Sequence, residues 1–214
     1  KWDTRTKLEI YNNLKKKNNK IATVVSPRNY SNKNNSIILL SGISNSTTIY
    51  CNENGYYSLF KSDRYGFNNP NEEWDSKEIE YLLVGDSFTL GACVNRPNDI
   101  GSVLRTLSNK SVLNLGYSGT GPFFQFATLR EYLNSNAKKV LWIYFEGNDL
   151  DGLIDEMDDS ILKNYLNDSS FTQHLKLKQN EIDEILKKEI EIEIEEKRDK
   201  KILRSKLWEL IKIK

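Results

Sequence analysis

In the middle of the chain, short and nearly continuous apolar runs alternate with stretches of helical periodicity. Residues 79–84 form such a run, ending at Gly85, and predict a buried strand. Residues 98–108 then place Ile100, Val103, Leu104 and Leu107 on one helical face. Residues 112–115 predict a second strand. Residues 122–134 predict a second helix, with Phe123, Phe126, Ala127, Arg130 and Leu133 at helical spacing. Residues 140–145 predict a third strand, and residues 151–166 a third helix. Strand and helix in strict alternation are the mark of βαβ units. Apolar runs without polar alternation predict a sheet covered on both faces. The expected core is therefore a parallel, doubly wound α/β sheet.

The flanking segments read differently. Residues 1–78 are expected to be a loop-rich lead-in, dense in Asn, Ser, Lys and Tyr between residues 10 and 70. One short strand is predicted at residues 37–40. Tyr50, Tyr56, Tyr57, Phe60, Tyr65 and Phe67 supply apolar area for docking on the core, and residues 1–35 are sparse enough in such side chains to suggest disorder as the alternative. Asn54-Gly55 and Asn69-Pro70-Asn71 are turn signals. The predicted organisation is the lead-in at 1–78, the α/β core at 79–168 and a charged helical extension or insertion at 169–214. Within that last segment, Ile182, Ile185, Leu186 and Ile190 are spaced for a helix, as are Ile202, Leu203, Leu207, Leu210 and Ile211. The Ile and Glu alternation at 190–195 also fits a short strand.

Ligands of parallel α/β sheets bind at the carboxyl ends of the strands. Three stretches fall there: Gly85-Asp86-Ser87, Asn114-Leu115-Gly116-Tyr117-Ser118-Gly119-Thr120-Gly121, and Glu146-Gly147-Asn148-Asp149. A serine just after a strand, at the start of a helix, presents its hydroxyl and its N–H where negative charge can develop. The plain alternative is a serine that caps the helix. Gly119 can offer a backbone N–H, or simply turn the chain. Asn148 can donate its amide to an oxyanion, or make an Asx turn. A phosphate-cradling loop at 114–121 lacks the Gly-Lys-Ser/Thr ending, and Gly-x-Gly-x-x-Gly does not fit in register.

Taken jointly, these stretches resemble the ordered blocks of the SGNH hydrolase superfamily, the GDSL esterases and lipases. Leu83-Val84-Gly85-Asp86-Ser87-Phe88-Thr89 looks like the first block, and the glycine in Asn114-Leu115-Gly116-Tyr117-Ser118-Gly119 like the second. Glu146-Gly147-Asn148-Asp149 is similar to the third, with one residue fewer between Gly and Asn. The resemblance covers roughly residues 79–150. It implies a three-layer, flavodoxin-like parallel sheet and serine-dependent hydrolysis or transfer of an acyl group. In that reading Ser87 is the nucleophile and one oxyanion donor, Gly119 a second donor through its N–H and Asn148 a third through its side chain. Asp86 and Asp149 support turns. No cofactor or metal is implied.

The segment Ser62-Asp63-Arg64-Tyr65-Gly66-Phe67-Asn68-Asn69-Pro70 is similar to one preceding the first block in some SGNH-like proteins of bacterial cell-surface polysaccharide systems. That similarity suggests a small-molecule or glycan acyl ester as the partner. Arg64 is expected in a surface ion pair rather than on an acidic substrate.

The family's late Asp-x-x-His block has no counterpart. The only histidine, His174, follows the third block too soon and has no aspartate three residues before it. A serine without a base is a poor nucleophile. The expectation is therefore an α/β domain interrupted by a helical insertion or lid, whose remaining strands and histidine lie beyond residue 214. The other reading is a non-catalytic module that binds a glycan or a protein.

Composition narrows the picture only slightly. Lys and Arg (31) nearly balance Asp and Glu (30), for a net charge of +1, which excludes the basic excess of a nucleic-acid binder. There is no run long enough for a membrane helix. Localisation and oligomeric state are not readable. Cys51 and Cys93 are too few for a disulfide framework and do not have metal-site spacing. Whether they pair is left open.

Overall fold

The structure, a computed structural model, describes residues 2–31, 37–147 and 153–212. Thr6 opens the first helix, α1 (Lys7–Lys15), with a reciprocal cap: its hydroxyl accepts from the Glu9 N–H at 3.3 Å, and Glu9 accepts from the Thr6 N–H at 2.8 Å. Next come β1 (Ile21–Thr23), α2 (Arg28–Ser31), β2 (Thr47–Ile49) and β3 (Leu59–Lys61). β1 pairs with β2 in parallel and β2 with β3 antiparallel, so the described part of the lead-in carries a small sheet of its own rather than loops alone. Strands of three residues are too short to show alternation in a sequence. The strand expected at residues 37–40 is absent. Those four side chains are buried in irregular backbone, where the Ile38 N–H is satisfied by the Gln173 side chain at 3.0 Å.

The turn at residues 62–75 is organised around the buried Asp63. Its carboxylate accepts from the Tyr65 and Phe67 N–H groups, the Asn69 amide and the Trp74 indole, at 2.8–3.0 Å. Burial pushes this carboxyl up to about 6 against those four donors. Gly66 has φ +86°, and a Cβ there would lie 1.9 Å from the Gly42 carbonyl oxygen, so only glycine fits. Arg64 forms an ion pair with Asp75, in line with the sequence expectation.

The larger sheet begins at β4 (Ile79–Gly85), which is followed by α3 (Ser87–Leu90), α4 (Ile100–Ser108), β5 (Val112–Asn114), α5 (Pro122–Tyr132) and β6 (Ala137–Ile143). The strand order is β5-β4-β6, all parallel, with Leu82 opposite both Leu113 and Val140. The chain is thus a mixed α/β protein with a parallel sheet. Trp142 reaches Gln125 of α5, whereas Phe145 packs on Phe88 of α3 at 4.4 Å between ring centroids.

Two expectations about burial are corrected. The apolar stripe of α4 does not face the core: Ile100 and Val103 are 41% exposed and Leu107 is 79% exposed. Gly101 and Ser102 are the buried positions instead. The helix is held by polar bonds, which fix its rotation. Asp99 caps it through the Ser102 N–H, and Arg105 donates to the Val112 carbonyl at 2.7 Å and to Asn69 at 2.9 Å, and pairs with Glu73. Likewise β6 is not covered. Val140, Leu141 and Trp142 are 38–43% exposed, and among the described residues nothing pairs with the outer edge of this strand. An exposed apolar edge is a template for association. The 214-residue chain is expected to self-associate through β6. Leu141→Lys should shift its elution on size exclusion toward monomer, and an unchanged profile would count against that.

The helix expected at 151–166 is two helices, α6 (Leu153–Asp158) and α7 (Ser160–Asn167), with residues 151–152 outside the described residues. The break comes at Asp159, whose side chain caps α7 by accepting from the Ile161 and Leu162 N–H groups. Glu131, near the end of α5, ties α7 and the following turn together. It accepts from Tyr165 and Gln173 at 2.6 Å and from Thr172 and Leu175 at 2.8 Å. The final helix, α8 (Gln179–Lys212), runs unbroken through residues 190–195. Ile182, Leu186, Ile190 and Ile194 are buried along it, one helical turn apart, in contact with α1 and β1. Among the described residues no helix is long and apolar enough to cross a membrane.

Candidate functional site

The carboxyl end of β4 leads into Asp86 and Ser87. Asp86 is the cap of α3: its carboxylate accepts from the Phe88 N–H at 2.8 Å. Ser87 is therefore not the capping residue, and the bland reading of it is set aside. Its hydroxyl donates to the other Asp86 oxygen at 3.2 Å and is half-buried. The turn needs glycine at position 85, because a Cβ there would sit 2.1 Å from the Thr89 hydroxyl and 2.6 Å from the Ile143 carbonyl oxygen. α3 has only four residues, so its dipole adds little.

The loop from β5 to α5 packs directly against this turn. The Tyr117 N–H donates to the Gly85 carbonyl at 3.2 Å, and Gly116 lies so close to Thr89 and Leu90 that a Cβ would approach to 2.5 Å. Gly119 adopts φ +73° beside Ser26, whose hydroxyl donates to the Gly119 carbonyl at 3.3 Å. Ser87 and the 116–121 loop are thus brought side by side. Asn148 and Asp149 lie outside the described residues. The strand that precedes them ends beside α3, through the packing of Phe145 on Phe88.

Two participants were not legible in the sequence. The first is Tyr50, from the small sheet: its phenol donates to the Ser118 hydroxyl at 2.6 Å and also interacts with Ser87. Burial raises this phenol above its ordinary value. The bonds with Ser118 and Ser87 oppose the shift, and the charges of Asp86 and Glu53 add to it. The only sequence signal was the cysteine beside it, since Cys51 and Cys93 form a disulfide with Cα atoms 5.0 Å apart. The second is Glu156, which is buried at the N-terminus of α5. It accepts from the Gly121 N–H at 2.8 Å and the Phe123 N–H at 3.1 Å, and pairs with Arg28 at 2.9 Å. A protein carboxylate already takes the amides that a phosphate would need, which removes the phosphate-loop reading.

His174 is placed away from Ser87. It follows Gln173, which bonds Glu131 near the end of α5, whereas Gly119 and Gly121 precede the start of that helix. Eleven helical residues separate the two ends by about 15 Å. His174 has φ +55° and is exposed.

Comparison with known proteins finds no matching family model, no matching curated protein and no matching solved structure.

Proposed function

We propose that this chain carries the nucleophile half of a serine-dependent acyl hydrolase or acyltransferase of the SGNH type, with a flavodoxin-like sheet. The observation that carries the reading is the division of labour at the β4 turn. Asp86 does the capping, so the Ser87 hydroxyl, held only by a long bond to Asp86 and by Tyr50, is not used for the cap and stands beside the glycine loop. Ser87 attacks the carbonyl of an acyl ester and a tetrahedral oxyanion forms. The N–H groups of Ser87 and Gly119 and the amide of Asn148 stabilise it. The substrate class is a small-molecule or glycan acyl ester.

The base that takes the serine proton is not His174, which sits at the far end of α5. The reading therefore assigns the serine proton to a base other than His174.

The test is fluorophosphonate labelling of the intact gene product, with the modified peptide mapped by mass. Label on Ser87 supports the reading, and a folded, unlabelled protein sinks it. Within the same reading, Asn148→Ala should lower ester turnover by about 10²–10³-fold. An unchanged rate removes Asn148 from the site. A second reading, a non-catalytic module that binds a glycan or protein, is favoured by the remoteness of the single histidine from Ser87 and is the one left standing if labelling fails.

A further inference from the structure

Tyr50 directly follows β2 of the small sheet, yet its phenol ends in the Ser87 site. The segment that carries it is fastened to the loop after α3. The Cys51–Cys93 disulfide is one link. Others are the Asn54 side chain donating to the Cys93 carbonyl at 3.0 Å, the Leu59 N–H donating to Asn95 at 2.8 Å, and Arg96 donating to the Lys61 carbonyl at 2.5 Å. These links hold the two segments in one register, so the phenol is anchored close to its target before any ligand arrives. Preorganised donors of this kind cost little reorganisation when charge develops. The partner of Tyr50 in the free protein is Ser118, which immediately precedes Gly119. Its phenol thus stands within reach of both the Ser118 hydroxyl and Ser87, at the junction of the serine turn and the glycine loop.

We propose that Tyr50 is a further catalytic residue of the Ser87 site, its phenolic O–H turning from Ser118 to the carbonyl oxygen of the bound acyl group and hydrogen-bonding the oxyanion. The Cys51–Cys93 bridge tethers it there. This rests on the serine-acyl reading and deepens it. Tyr50 keeps its proton throughout, and no bond to it forms or breaks. Burial favours the neutral phenol, so Tyr50 acts as a donor and not as the missing base.

The experiment uses the intact gene product, p-nitrophenyl acetate as the probe and a fluorophosphonate as the serine label. Tyr50→Phe should lower kcat about 10²-fold, with KM and thermal midpoint little changed, and should slow labelling of Ser87 in parallel. Ser118→Ala breaks the same resting hydrogen bond but keeps the phenol, and should fall much less. A wild type that labels at Ser87 while Tyr50→Phe turns over at the same rate overturns the role of Tyr50 and leaves the serine reading standing. Equal losses in Tyr50→Phe and Ser118→Ala also overturn it, since they would make the bond merely structural. A wild type that neither labels nor turns over ends the serine reading and this inference with it.

Discussion

Ser87→Ala is expected to abolish fluorophosphonate labelling and to cut ester turnover on the order of 10⁴–10⁶-fold. The thermal midpoint should stay within about 2 °C of wild type. The two expectations separate because the serine hydroxyl contributes little to folding. Its bond to Asp86 is long, at 3.2 Å, and Asp86 keeps its cap on the Phe88 N–H when the hydroxyl is gone. Ser87 is half-buried, so the lost atom leaves no sealed cavity. Chemistry, by contrast, loses the atom that forms the acyl bond, and the oxyanion donors have no intermediate to stabilise. Turnover retained in the alanine variant would sink the nucleophile assignment. A large fall in midpoint would mean that the hydroxyl helps to hold the β4 turn, and would leave the loss of turnover uninterpretable as chemistry.

Glu131→Ala is expected to cost about 3 kcal/mol, a fall of roughly 6–12 °C in thermal midpoint for a chain of this size. The carboxylate gathers donors from α7 and from the turn before α8: Tyr165, Thr172 and the N–H groups of Gln173 and Leu175. Removing it leaves those donors in an interior where Leu175 and Tyr165 are almost fully buried. The pH dependence has a definite sign. Burial works to raise the Glu131 carboxyl, but the four donors outweigh it and hold the group below its ordinary 4.5. A carboxyl depressed on folding stabilises above its unfolded value and loses that contribution as pH falls through the folded one. The difference between wild type and Glu131→Ala should therefore be full at pH 7 and shrink below about pH 4.5. A difference that does not change with pH would show that packing, not the ionised hub, ties α7 to α5.

The α/β character and the position of the Ser87 turn were legible because both depend on local chemistry. The apolar runs at 79–84, 112–115 and 140–145 are readable in any context, although β6 starts three residues earlier and ends two earlier than its run, and Gly85-Asp86-Ser87 needs only a strand before it and a helix after it. The fate of the exposed surfaces was not legible. The helical stripe of Ile100, Val103 and Leu107 pointed to a buried face, yet Arg105 turns the helix by reaching the Val112 carbonyl. A hydrophobic pattern reports periodicity and says nothing of a competing polar tie from another element. The run at 37–40 shows the same limit, since burial without strand pairing looks identical in sequence.

The sequence by itself determined the alternation of strands and helices in the middle of the chain, the near-neutral charge, and a single histidine placed outside the pattern of the resembling family. These are properties of residue order and count, and no folding is needed to read them. Only the tertiary structure decided that Asp86 rather than Ser87 caps α3, that Glu156 fills the N-terminus of α5, and that Cys51 and Cys93 meet. It alone brought Tyr50, which follows β2, to Ser87. Apart from the Asp86 cap, which spans two residues, each of these is a contact between segments distant in the chain. Their partners are chosen by packing and by the need to satisfy buried polar groups, and neither leaves a local trace in the order of the residues.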